Sequence, residues 1–183
     1  FYKTAIAVGK FRPEPDVQAY VGLATLAKDK GDWGSAVGWA WTSMMRTPDD
    51  ASAPTVLGDT YAAQGDVAQA IRAYNLAGII DPYSPAPLVG LGNLYRSLGQ
   101  SPQTIEGHVS DRSADTDQST SLPDPNVTLV SDTAGKARRA FEAAASLETQ
   151  SNLGLIGLGN LALDAGNLDG AIRYYERAVE FSP

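Results

Sequence analysis

The residues best suited to chemistry sit close together. His108 is the only histidine among 183 residues, and cysteine is absent. A single imidazole without a thiol or a second histidine gives neither a nucleophile–base pair nor a conventional zinc site, so His108 reads as a surface residue. Asp111, Asp115, Asp117, Asp124 and Asp132 follow it. Carboxylates suit calcium, but these lack the interleaved spacing and turn glycine of an EF-hand loop. Nor does a Ser/Thr/Pro-rich stretch fix the carboxylate separation that glycoside hydrolysis needs. Asn126, Val127 and Thr128 form an N-x-T triplet, a glycosylation acceptor if the chain is exported. Gly157, Gly159 and Ala162 match a variant of the dinucleotide fingerprint, yet no strand-like run precedes them and the same glycines recur at 90 and 92. Recurrence at repeat spacing points to close helix packing. No catalytic residue, metal site or cofactor is expected.

Composition narrows the partners. The formal net charge of -7 opposes binding to a nucleic-acid backbone or an anionic membrane, which both need clustered Lys and Arg. No apolar run approaches the ~20 residues of a membrane span, and residues 1–10 lack the layout of a signal peptide. Without cysteine the redox compartment stays undetermined. A periplasmic or extracellular address is favoured over the cytoplasm. The chain opens on Phe1, which fits either a processed mature chain or a fragment.

These groups must be positioned by a recurring unit. LGDTYAAQGD at 57–66, GLGNLY at 90–95 and GLGNLA at 157–162 are variants of one phrase. Apolar residues at helical spacing predict amphipathic helices over 53–63 and 67–80. Gly65 suits the left-handed residue that closes the first, and Asp66 suits the N-cap of the second. Gly58 and Ala70 let the two helices approach, Tyr61 and Tyr74 fill the adjoining space, and Pro82 ends the second.

Leu57, Gly58, Tyr61, Gly65, Asp66, Ala70, Tyr74, Ala77 and Pro82 stand at the spacings of the tetratricopeptide motif of about 34 residues, which this stretch closely resembles. Leu158, Gly159, Ala162, Gly166, Asn167, Ala171, Tyr175, Ala178 and Pro183 repeat the pattern. Leu23, Ala24, Ala27, Gly31, Asp32, Trp33, Ala36 and Pro48 follow it more loosely, with Ala40 and Ser43 where an aromatic and an alanine are usual. The resemblance implies an all-α, right-handed solenoid of antiparallel helix pairs and a non-catalytic role as a bacterial-type binding scaffold for a protein or peptide.

The third copy departs from the pattern. Its first helix, with Leu91, Gly92, Tyr95 and Gly99, has no immediate partner; Ala137, Phe141 and Ala144 carry the spacing of the missing second helix, over 133–147. The expected division is an N-terminal segment at 1–16, ending a preceding repeat, then repeats at 17–50, 51–84, 85–151 and 152–183. The third holds a Ser/Thr/Asp/Pro-rich loop insertion at about 100–132. Pro123 and Pro125 argue against reading the insertion as a degenerate repeat. Insertions of this kind map to one face of a solenoid, often the working one.

The resemblance also implies that first-helix side chains line a concave groove: Val21, Thr25, Thr55, Asp59, Val89, Asn93, Ile156 and Asn160. Asn93 and Asn160 occupy equivalent positions, and an Asn amide both donates to and accepts from an extended peptide backbone. Lys28 and Arg96 are too few for a carboxylate clamp. Trp33 and Trp39 are expected between helices, whereas Trp41, beside Met44 and Met45, is expected outward as an interface hot spot. The chain stops at Pro183 without a polar cap. Ile172, Tyr175 and Val179 would then form an edge for head-to-tail stacking of copies into a filament, glycosylated at Asn126 if extracellular.

Overall fold

A computed structural model describes residues 17–100, 132–147 and 152–180. Among them the chain forms eight α-helices and no strand: α1 Val17–Asp29, α2 Trp33–Arg46, α3 Ser52–Gln64, α4 Val67–Ile80, α5 Ala86–Gln100, α6 Thr133–Leu147, α7 Leu153–Asp164 and α8 Leu168–Glu180. His108, the aspartates at 111, 115, 117 and 124, and Asn126 lie outside the described residues.

Local chemistry sets the helix ends. Gly65 adopts φ 81°, a left-handed conformation that costs an L side chain strain. Its N–H and that of Asp66 donate back to the carbonyls of Ala62 and Tyr61, closing α3. Asp66 then accepts the Gln69 N–H at 3.1 Å, capping α4. Asp32 caps α2 through the Ser35 N–H at 3.1 Å, and Asn167 caps α8 through the Gly170 N–H at 2.9 Å. Each of these caps satisfies one donor that a helix start would otherwise leave unpaired.

The helices pack as antiparallel pairs, α1–α2, α3–α4, α5–α6 and α7–α8, stacked into a helical solenoid. The helix at 133–147 is present as α6, and its most extensive packing is against α5. Ala137, Phe141 and Ala144 are fully buried, as their spacing requires. Each second helix also packs on the first helix of the next pair, and successive first helices touch one another (α1–α3, α3–α5, α5–α7). Second helices make no comparable contact with one another, so the first helices share one surface and the second helices are separated by clefts.

Size matching holds neighbouring pairs in register. Tyr74 is 3% exposed and lies between Gly58 of its own pair and Gly90 of the next. A Cβ on Gly58 would fall 2.6 Å from the Tyr74 ring, and one on Gly90 would also clash with it. Phe141 fills the same position between Gly92 and Gly157. The glycines that resembled a dinucleotide fingerprint are thus the floor under an aromatic ring. Where the second helix carries Ala40, the next first helix carries Val56, and both belong to one core cluster. The interface keeps its volume by exchanging large with small residues, as close-packed interiors demand.

Trp39 and Tyr20 contact each other with ring centroids 6.0 Å apart, and Arg46 lies over the Tyr20 ring at 5.3 Å. Ser43, in the position where alanine is usual, is fully buried with its hydroxyl unpaired among the described residues. Nothing in the packing explains that hydroxyl.

Candidate partner-binding surface

The eight residues read as groove lining all fall on first helices, two on each of α1, α3, α5 and α7. Val21, Thr55, Val89 and Ile156 make one row, and Thr25, Asp59, Asn93 and Asn160 make a second, one helical turn on. Asn93 is exposed and the other seven are half-buried. The two threonine hydroxyls turn back on their own helices: Thr25 donates to Val21 O at 3.0 Å and Thr55 to Ala51 O at 2.7 Å. Their methyl groups therefore contribute more to this surface than their hydroxyls do.

Two members of the second row are held from beneath by tyrosines of the second helices, a relationship the spacing of first-helix residues alone does not show. The Tyr74 hydroxyl donates to Asp59 Oδ1 at 2.7 Å, and the Tyr175 hydroxyl donates to Asn160 Oδ1 at 2.7 Å. Burial, reinforced by the Asp59 carboxylate, pushes the Tyr74 hydroxyl well above the usual tyrosine range. In the third pair the tyrosine is replaced by Phe141, which has no hydroxyl to offer Asn93. Asn93 makes no side-chain hydrogen bond among the described residues. Two positions equivalent in sequence thus differ in the structure: Asn160 has its acceptor engaged, and Asn93 has both amide groups available.

Ion pairs stitch adjacent first helices along the same surface. Lys28 reaches Asp59 at 4.0 Å and Asp29 at 3.7 Å. Arg96, at the position equivalent to Lys28, grips Asp164 through both Nε and a terminal nitrogen. The hydrogen bond from Arg96 holds the Asp164 carboxyl below the usual carboxylate range, and its reciprocal raises the Arg96 guanidinium. Both cations are committed within the chain, so neither is free to clamp a carboxylate.

Trp41 is 49% exposed and Met45 83% exposed, whereas Met44 packs against the core cluster of α1–α4. On α8, Ile172 is 54% and Val179 72% exposed; Tyr175 is half-buried. Among the described residues no group of three His, Asp or Glu could hold a metal ion, and no helix is long and apolar enough to cross a membrane.

A tetratricopeptide repeat family model matches residues 23–85 and 134–183. The chain belongs to this family. The two matched stretches flank the segment that the sequence separates from the repeat pattern. Solved tetratricopeptide folds resemble the whole chain. TTC0263, a thermophilic protein of this type from Thermus thermophilus, superposes with a TM-score of 0.67 at 22% identity, covering 100% of this chain and 84% of that one. MamA gives a TM-score of 0.57 at 19% identity, covering 98% of this chain and 84% of that one. Yeast Tom70 gives 0.66 at 19% identity, covering 99% of this chain but 32% of that one. At these identities the likeness establishes the fold. No curated protein matches the sequence.

Within this tetratricopeptide repeat chain, the hydrogen bonds of the Tyr74 and Tyr175 hydroxyls to the candidate surface are what the residue spacing of the first helices does not reveal. A signal was available. Asp59 and Tyr74 are fifteen residues apart, as are Asn160 and Tyr175, so one hairpin geometry brings both pairs together.

Proposed function

We propose that the chain is a non-catalytic protein-interaction scaffold that holds an extended partner segment on the surface shared by α1, α3, α5 and α7. In this reading Val21, Thr25, Thr55, Asp59, Val89, Asn93, Ile156 and Asn160 line the groove, and the insertion at about residues 100–132 adds a second contact. The observation that carries it is Asn93: an exposed amide without an intramolecular partner among the described residues, in a row whose equivalent side chains Asp59 and Asn160 are held in place by tyrosines. A free amide flanked by fixed polar groups can pair with the backbone of an extended peptide and demands little of its sequence. Trp41 is an accessory hot-spot candidate because it is exposed on α2, one helical turn before the exposed Met45. A titration of the double variant Asn93→Ala/Asn160→Ala against a partner captured by the unaltered chain tests the assignment. Weakened binding with unchanged helicity is expected, and unchanged affinity would sink it.

The second reading is a structural subunit whose copies stack head to tail through Ile172, Tyr175 and Val179, with Asn126 glycosylated in an extracellular setting. Its support is the exposed apolar stripe on α8. Light scattering over a range of concentrations separates the readings. Growth that is abolished by Ile172→Asp favours the filament, and a monomer throughout favours the groove scaffold.

A further inference from the structure

We propose that the cleft between α6 and α8, on the face opposite the first-helix surface, is a docking site for an acidic peptide segment with apolar side chains between its carboxylates. Neighbouring second helices stand apart along this solenoid, and here the gap is a cleft of about 320 Å³. Its floor is apolar, formed by Leu158, Leu161 and Ala162 of α7, and its rim carries Arg138, Arg173 and Arg177.

Three observations make this rim more than a solvated face. The chain as a whole is acidic, at -7, so three arginines around one cleft are not a by-product of general basicity. None of the three has an ion pair with an acidic group among the described residues, although Glu142, Asp169, Glu176 and Glu180 lie on the same two helices; Arg139, by contrast, pairs with Asp132 at 3.2 Å. Most telling, Arg138 breaks the repeat rule. It follows the buried Ala137, and the residues at that position in the other second helices are Val37, Ile71 and Ile172. Ile71 packs against the core cluster of Ala70, Tyr74 and Leu94, alongside Leu91 and Leu98 of α5. An uncompensated guanidinium thus stands at a position that elsewhere in the chain is apolar.

The recognition chemistry follows. Guanidinium groups bind carboxylates through paired N–H donors in a geometry that a lysine does not supply. The apolar floor takes the side chains between them, so the favoured ligand alternates acid with apolar residues. The net negative charge disfavours a polyanionic nucleic acid, whose charge would also face the rest of the surface.

The test is fluorescence anisotropy on the whole chain with a labelled synthetic peptide of alternating aspartate and leucine, beside the same peptide with asparagine for aspartate. Binding is expected for the acidic peptide and not for the neutral one. Arg138→Ile, which restores the residue type of the other repeats and so preserves the fold, and Arg173→Ala/Arg177→Ala are each expected to weaken it roughly tenfold or more, the loss of one good ion pair. Asn93→Ala is expected to leave it unchanged, which separates this cleft from the first-helix surface. Equal binding of both peptides, or undiminished binding of the acidic peptide to both arginine variants, overturns the proposal. So does displacement by millimolar inorganic phosphate but not by chloride of equal ionic strength, which would assign the rim to free phosphate. Tighter binding of a single-stranded oligonucleotide would overturn it in favour of nucleic acid.

Discussion

The Tyr175 hydroxyl donates to Asn160 Oδ1 at 2.7 Å, so an amide that the sequence presents as free is oriented by its own chain. Removing the hydroxyl with Tyr175→Phe should cost about 0.5–1.5 kcal/mol in urea unfolding, the net value of one hydrogen bond. It should also make Asn160 resemble Asn93. If the groove reading holds, Asn93→Ala weakens a bound partner more than Asn160→Ala does, and titration of the two single variants measures the difference.

Tyr74 makes stability depend on alkaline pH. Its pKa in the folded chain lies above the value of about 10 for an unfolded tyrosine. The folded state therefore favours the protonated form. The contribution is fully present below about pH 10 and is lost as pH rises beyond that value. Thermal unfolding at successive alkaline pH values should show a steeper fall for the unaltered chain than for Tyr74→Phe. Parallel curves would contradict the burial argument.

Asp164 works in the opposite direction. Its carboxyl is held below the usual range by Arg96, so the pair contributes stability above the unfolded carboxylate value near 4 that is lost as pH falls through the folded value. Both side chains are partly exposed, and the contribution should be at most about 1 kcal/mol. A double-mutant cycle with Arg96→Met and Asp164→Asn at neutral pH measures it, and added salt should diminish it.

The glycines under the aromatic rings should tolerate nothing larger. Gly90→Ala places a Cβ within the Tyr74 ring's contact distance and should destabilise the chain by about 1–3 kcal/mol. Gly90→Val combined with Tyr74→Ala recreates the Ala40–Val56 arrangement and should recover part of that loss. Gly38→Ala on α2 meets nothing within 4 Å and should be neutral or stabilising by up to about 1 kcal/mol, since alanine is the better helix former. Denaturant midpoints for the series decide whether size matching or helix propensity dominates.

The fold was legible because its signals are local and periodic. Gly65 and Asp66 mark an end and a start within two residues, and Ala137, Phe141 and Ala144 identify α6 at a distance from α5 because their spacing is that of a helix face. The surface was less legible. The difference between Asn93 and Asn160 depends on residue 141 being phenylalanine and residue 175 tyrosine, which matters only once the hairpin closes. Arg138 joins Arg173 and Arg177 through tertiary packing. Its only trace in the sequence is the break in the row of Val37, Ile71 and Ile172.

The matching of aromatic ring to glycine at two interfaces and of alanine to valine at the other constrains how such a chain can lengthen by inheritance. Copying α3–α4 in tandem would set Val56 of the second copy against Tyr74 of the first, where Gly90 now lies. Copying α4–α5 keeps every ring over a glycine, because Gly90 travels with Tyr74, and Gly92, which stands under Phe141 as Gly58 stands under Tyr74, would lie under the copied Tyr74. The unit this chain can duplicate without damage is therefore a second helix with the first helix that follows it, half a period out of step with the repeat its motif defines.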